Sequence, residues 1–272
     1  MSAVVSTPTG AWDGPTILAA ATAVVALLVS LWPRILRIIK GCRIEIVIAE
    51  SVMITHYMGN IHVVCFLSLI NTGAVQARIG RLTCVLKRPD GVGVVLPAQA
   101  YISREAPAIQ GQGSPEYPLG WVIVAPDGQW SETVRFYEPW SDETAQESSD
   151  VAESIRADIS RQLPGLQEPE QLAEARSELV ERAHELFESN FDLSAGDYMI
   201  SVIAETPDGR CLRQRDFSFR LHGSAVGTLR GGVDEYKYGF GVCFPSSQPF
   251  SVAWVRVRGA SERSSPRVAD RR

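Results

Sequence analysis

The four histidines, at positions 56, 62, 184 and 222, are the side chains best suited to acid–base or metal chemistry near neutral pH. None falls at a metal-ligand spacing. His56 and His62 straddle a Gly59-Asn60 turn, and a hairpin there would let them face each other, but two imidazoles without a nearby carboxylate make a poor metal site. His184 with Glu181 and Glu188 occupies i, i−3 and i+4 of one helix, which reads as a solvated cluster. The five cysteines, at 42, 65, 84, 211 and 243, are odd in number, widely spaced and without a C-x-x-C pair. That argues against a disulfide framework and a zinc knuckle, and for free thiols in a reducing compartment. Cys65 and Cys84 sit in apolar runs, where a thiol behaves as a small hydrophobe. No G-x-S-x-G elbow, Walker A loop or G-x-G-x-x-G occurs, so hydrolase and nucleotide-binding readings lose their anchor. No catalytic residue, metal ligand or cofactor is assigned.

Two stretches are candidates for binding rather than catalysis. Ala100 to Pro118 is the longest loop-like run, and Tyr101, Arg104, Glu105, Glu116 and Tyr117 in it could contact a ligand. Residues 142–190 hold thirteen acids against four arginines, a local balance of −9 within a chain of formal charge −5. Glu170, Glu174, Glu178, Glu181, Glu185 and Glu188 form an outward acidic face that could dock a basic protein partner, and an anionic leaflet would repel it away from a membrane. Arg256 to Arg272 has six arginines and two acids. Neither end resembles a duplex-binding surface, and no nucleic acid is expected.

The elements that position these groups begin with a charge-free run, Thr16 to Trp32, about 26 Å long as a helix and extended by its flanks. Trp12 and Trp32 stand at the spacing of the two interfaces of a bilayer, and Arg34, Arg37, Lys40 and Arg43 follow. No Lys or Arg precedes the run, which is not the signal-peptide pattern. The expectation is one transmembrane helix with its basic juxtamembrane segment over residues 15–43, residues 1–14 outside the cell and the body cytoplasmic at the inner membrane. Pro33 could kink its exit. Thr22, Ala26 and Ser30 recur every four residues, a small face on which a second copy could pack to form a homo-oligomer.

From Ile44 onward, short alternating runs replace the helical period. Val63, Cys65, Leu67 and Leu69 point one way, as do Leu82, Cys84 and Leu86, and as do Phe217, Phe219 and Leu221. Pro-Asp-Gly at 89–91, 126–128 and 207–209 provides hairpin signals, and Asn71-Thr72-Gly73 ends a strand with residues that tolerate positive φ. About eight strands are expected. Within 142–190, Val151, Ile155, Ile159 and Leu163, then Leu172, Ala175, Leu179, Ala183 and Leu186, repeat at three or four around Pro164-Gly165, as in a helical hairpin. After Leu221 the chain is Gly-rich over 222–258, with GFGVCF and SVAWVRVRG as candidate strands, the latter fitting an edge strand or a membrane-surface contact. Residues 259–272 read as a basic disordered tail.

LSLINTG at 67–73 and LSAGDYMISV at 193–202 resemble bacterial immunoglobulin-like sandwich domains, and the run at 193–202 is similar to a tyrosine corner built on Tyr198. The resemblance covers roughly 44–221 and implies an antiparallel β-sandwich, here with a helical insertion at 142–190, and a binding or scaffolding habit. Ile200 stands where antibody domains carry a cysteine, so their inter-sheet disulfide is absent. The chain is expected to be a non-enzymatic, membrane-tethered interaction, scaffold or sensor module in a bacterial membrane assembly, with lipid and protein partners. The excess of arginine over lysine, twenty-three to three, fits a GC-rich bacterial genome. An extracytoplasmic adhesion or envelope domain of reversed topology, or an enzyme with an unrecognised site, is the alternative.

Overall fold

The computed structural model describes residues 14–103, 115–162, 172–244 and 251–259, and in the first helix it describes side chains from Leu18 to Trp32. Helix α1 (Gly14–Lys40) is 27 residues long and continues through Pro33, which lacks the N–H for its own ladder bond. Between Leu18 and Trp32 every side chain except the half-buried Leu31 is exposed, including Val24, Val25, Leu27, Leu28 and Val29. The Thr22 and Ser30 hydroxyls donate to the carbonyl oxygens of Leu18 and Leu27 in their own helix, at 2.9 and 2.8 Å. Among the described residues no helix is long and apolar enough to cross a membrane.

The body is mainly antiparallel β, wound into one nearly closed sheet. Its strands are β1 (Ile44–Ile48), β2 (Ser51–Tyr57), β3 (Asn60–Asn71), β5 (Arg81–Lys87), β6 (Gly93–Ile102), β7 (Glu116–Pro118), β9 (Gln129–Tyr137), β10 (Gly196–Glu205), β11 (Cys211–Leu221), β12 (Val252–Arg256) and β13 (Arg258–Gly259). The order is β12-β2-β3-β9-β6-β5-β10-β11-β13, with β1 beside β3 and β7 beside β6. A separate ribbon joins β4 (Ala77–Ile79) to β8 (Val122–Val124). Strand β6 pairs with β5 over residues 93–97 and with β9 over residues 98–102, with a bulge between Ala98 and Ala100. The ladder is continuous through this one strand, because a bulge bends a strand without ending its pairing.

The alternation read from sequence fills the core: Val63, Cys65, Leu67, Leu69, Leu82, Cys84, Leu86, Phe217, Phe219 and Leu221 are all buried. Each valine, leucine and phenylalanine among them contributes on the order of 1.5–3 kcal/mol as it leaves water. The Pro-Asp-Gly segments at 89–91 and 207–209 turn the hairpins β5–β6 and β10–β11, with Gly91 and Gly209 at φ 84° and 82°. The one at 126–128 turns the chain between β8 and β9, which pair with other strands, and there Asp127 takes the positive φ. Asn71 ends β3 through its side chain rather than its φ. It donates to the carbonyls of Val75 and Val124, at 2.8 and 3.1 Å, and accepts from the Gly73 N–H.

Helices α2 (Asp142–Gln162) and α3 (Ser177–Asn190) form the insertion at the expected limits. Ser141 caps α2 by accepting from the Thr144 N–H at 3.2 Å. Val151, Ile155, Ile159, Ala183 and Leu186 are buried as their spacing requires. The helical period does not reach back to Leu172, which is 55% exposed. Residues 172–176 are non-helical because their backbone is bonded elsewhere, Ala175 N–H to the Lys237 carbonyl and Arg176 N–H to the Asp158 carboxylate. Leu163, Pro164 and Gly165 lie outside the described residues.

The Gly-rich segment also differs from expectation. Gly223–Gly231 is a helix, α4, followed by a 3-10 segment at Gly232–Tyr238. GFGVCF is a turn closed by an isolated bridge between Phe240 and Phe244. SVAWVRVR holds β12, an end strand of the sheet, with Ala253, Val255 and Val257 inward and Trp254 outward. Of the expected tail only Gly259, in β13, is described.

Candidate functional site

The residues singled out by sequence fall into three places. Tyr101 and Tyr117 lie on the paired strands β6 and β7, so the loop-like stretch is strand at both ends. Their rings stand 5.7 Å apart, with Trp130 edge-on to Tyr101 at 6.2 Å. Glu116 forms an ion pair with Arg135 of β9, which reaches His62 Nδ1 at 3.3 Å. Three of the five loop residues are thus engaged in packing and pairing, and Arg104 and Glu105 lie outside the described residues. Of the acidic set, Glu174, Glu178, Glu181, Glu185 and Glu188 are exposed, while Glu170 lies outside. Glu174 meets Lys237 at 3.4 Å and Glu188 meets Arg230 at 2.8 Å, so basic groups of the C-terminal segment neutralise part of that face. Trp32 and Arg43 are exposed, Trp12 lies outside, and Arg34, Arg37 and Lys40 have undescribed side chains.

The histidines are placed by packing. In the β2–β3 hairpin His56 pairs with Ile61 and His62 with Thr55, so the two imidazoles lie on opposite faces instead of facing each other. His56 Nε2 meets the Leu229 carbonyl at 2.8 Å beside the rings of Phe187 and Phe191. Burial, and next the Arg135 guanidinium, push the His62 imidazole down to about 3, so it is neutral at physiological pH. His184 Nε2 meets the Val233 carbonyl at 3.1 Å. Among the described residues no group of three His, Cys, Asp or Glu could hold a metal ion.

A concavity lies where the sheet fails to close. Residues 252–259 cross the seam: β12 pairs with β2, and two residues later β13 pairs with β11 at Phe217↔Gly259 and Ser218↔Arg258. Between them the Val257 N–H turns to the Glu50 carbonyl, at 2.8 Å, and Val257 faces the core. The seam ladder therefore stops at Ser218. Beyond it β11 and β12 enclose a groove of ≈ 700 Å³ with the start of α4 at its end. Ser218, Phe219, Arg220 and His222 line one wall, and Trp254, Val255, Arg256 and Arg258 the other.

Three arginines against Asp197 make this groove basic, and Trp254, 69% exposed, supplies an aromatic face. Its ion pairs are loose: Arg220 to Asp197 at 3.9 Å and Arg256 to Glu50 at 3.5 Å, all on exposed side chains. These guanidiniums remain open to an incoming carboxylate. The Trp254 wall was expected from sequence, as the outward face of an edge strand, and the Arg220 wall was not. The signal for it was the alternation of FSFRL, which sends Arg220 to the face opposite Phe219.

A smaller cavity of ≈ 340 Å³ is lined by Asn60, Glu138, Trp140, Thr144, Asn190 and Asp192 among others. Polar groups there are spent internally, with Asn60 donating to the Glu138 carbonyl and Asn190 to that of Leu186. Comparison with protein-family models, curated proteins and solved structures finds no match to this chain.

Proposed function

We propose that the protein is a non-enzymatic interaction module, held at a bacterial inner membrane by α1, with its body cytoplasmic and the seam groove as the surface offered to a protein partner. The groove carries this reading, since it joins concavity, an exposed tryptophan and under-paired arginines in one place. The tether is supported by the apolar surface that α1 exposes around its circumference, which needs a cover other than water. The basic run after Trp32 and the free thiols favour the cytoplasmic side. Kinship with immunoglobulin-like domains is supported by the Tyr198 corner, whose hydroxyl donates to the Ser194 carbonyl at 2.8 Å.

A photo-crosslinking amino acid at Trp254 tests the groove in cells, with Val92 on the β5–β6 turn as an exposed control. Discrete adducts at position 254 and none at 92 are expected. Equal labelling at both, or none at 254, would reject the groove as the partner surface. Alkaline extraction tests the tether separately, and release of the chain into the soluble fraction would reject it.

A further inference from the structure

The geometry points to a mode of occupation for the seam: an extended acidic peptide segment of a partner protein enters it as a strand and completes the sheet. This rests on the reading of the seam as the partner surface and gives that surface a chemistry. Three observations carry it. The first is backbone. From Phe219 to Leu221, β11 pairs with β10 on one side only, and from Val252 to Arg256, β12 pairs only with β2. Among the described residues the edges facing the groove have no ladder partner, and an edge without a partner is a template for another strand. The open part of β11 is about 10 Å long at ~3.3 Å per residue, so roughly three to five residues of peptide would span it.

The second is charge. Arg220 on one wall and Arg256 and Arg258 on the other outnumber Asp197, so carboxylates at alternate positions of the entering strand would meet guanidiniums at both walls. The chain's own residues 260–272 carry four arginines against two acids, the same sign as the groove, and are mismatched to it. The third is shape. Trp254 and the hydrocarbon stems of the arginines flank a cleft, where a side chain between the acidic positions could pack. A lipid surface would need a flat or convex face.

The test uses the full chain in detergent micelles and a displayed library of random short peptides. Expected are enriched peptides with Asp or Glu at alternate positions. Adding one should slow amide hydrogen exchange at 219–221 and 252–256 by ~10-fold or more. Both effects should vanish in Arg220→Glu/Arg256→Glu, and an Arg220→Gln/Arg256→Gln chain of unchanged melting temperature guards against misfolding. No enrichment, or enriched peptides without acids, would overturn the proposal. Acidic peptides that bind without protecting those amides would overturn strand addition while leaving the groove as a partner surface. Amides already protected in the unliganded chain and released by deleting 260–272 would identify the chain's own tail as occupant, and overturn it too.

Discussion

Arg215 donates from Nη1 to the carbonyl oxygen of Ile46 at 2.6 Å, joining β11 to β1 across the seam. The same guanidinium lies 5.5 Å from the Phe217 ring. The seam is thus bonded through a side chain at Arg215, by the short β13 ladder at Ser218, and is open beyond.

Arg215→Ala removes a charge-assisted bond and should lower stability by about 1.5–3 kcal/mol in urea unfolding. Arg215→Lys should recover only part of it, because an ammonium lacks the planar fork. If the alanine variant unfolds like the parent, the seam is held by its backbone alone.

Tyr198→Phe keeps the ring stacked on Phe219, 5.3 Å away, but removes the hydroxyl that donates to the Ser194 carbonyl and accepts its N–H at 3.1 Å. A loss of about 1–2 kcal/mol is expected, with faster amide exchange around Ser194. Unchanged exchange there would show that the corner stands without its bond.

The neutral state of His62 gives stability a pH dependence. Its folded pKa, about 3, lies below the ordinary 6.5, so between these values the unfolded chain binds the proton and the folded chain does not. Stability is then full above pH ~6.5 and falls as the pH drops towards 3. His56, also lowered, chiefly by burial, adds in the same sense. Urea midpoints between pH 7 and 5 should decline by the equivalent of roughly 1–2 kcal/mol, mostly ahead of the carboxylates. A flatter slope is expected in His62→Gln, and equal slopes in the two chains would refute the assignment.

Gly59 sits at φ 89° against the backbone of Phe187 and Phe191. A methyl group there meets both positive-φ strain and a backbone collision, so Gly59→Ala should cost roughly 2–4 kcal/mol by thermal unfolding. A stable alanine variant would mean that the β2–β3 turn does not rest on α3 in solution.

Alkylation should divide the thiols. Cys42 and Cys211 are exposed, whereas Cys65 and Cys84 are buried, burial pushing the Cys65 thiol up to about 12. Iodoacetamide at pH 8 should modify the exposed pair in the native protein and reach Cys65 and Cys84 only in denaturant. Native modification of Cys84 would place an opening between β5 and its neighbours.

Much of the β body was legible because the signal is local. The alternation of Val63, Cys65, Leu67 and Leu69 needs only a period of two, and all four are in the core. Val151, Ile155 and Ile159 needed only a period near four, and they are buried on α2. Failures came where a distant contact overrode local preference. Three glycines within nine residues argue against a helix over Gly223–Gly231, yet Leu229 is fully buried and its carbonyl meets His56. Val64 is buried beside Val63, which a period of two does not provide, since β3 is covered on both faces there.

The sequence by itself determined the inward face of the main strands, the outer limits of the acidic helical insertion, and that a charge-free apolar run precedes the body. Those properties depend on neighbours a few residues apart. Only the tertiary structure decided that β6 would join the sheet into one ladder, that His56 and His62 would part to opposite faces, and that Arg220 would come opposite Trp254. The first and third depend on closure, which is set by pairing between segments far apart in the chain, and the second on the register of the tight Met58-Gly59 turn.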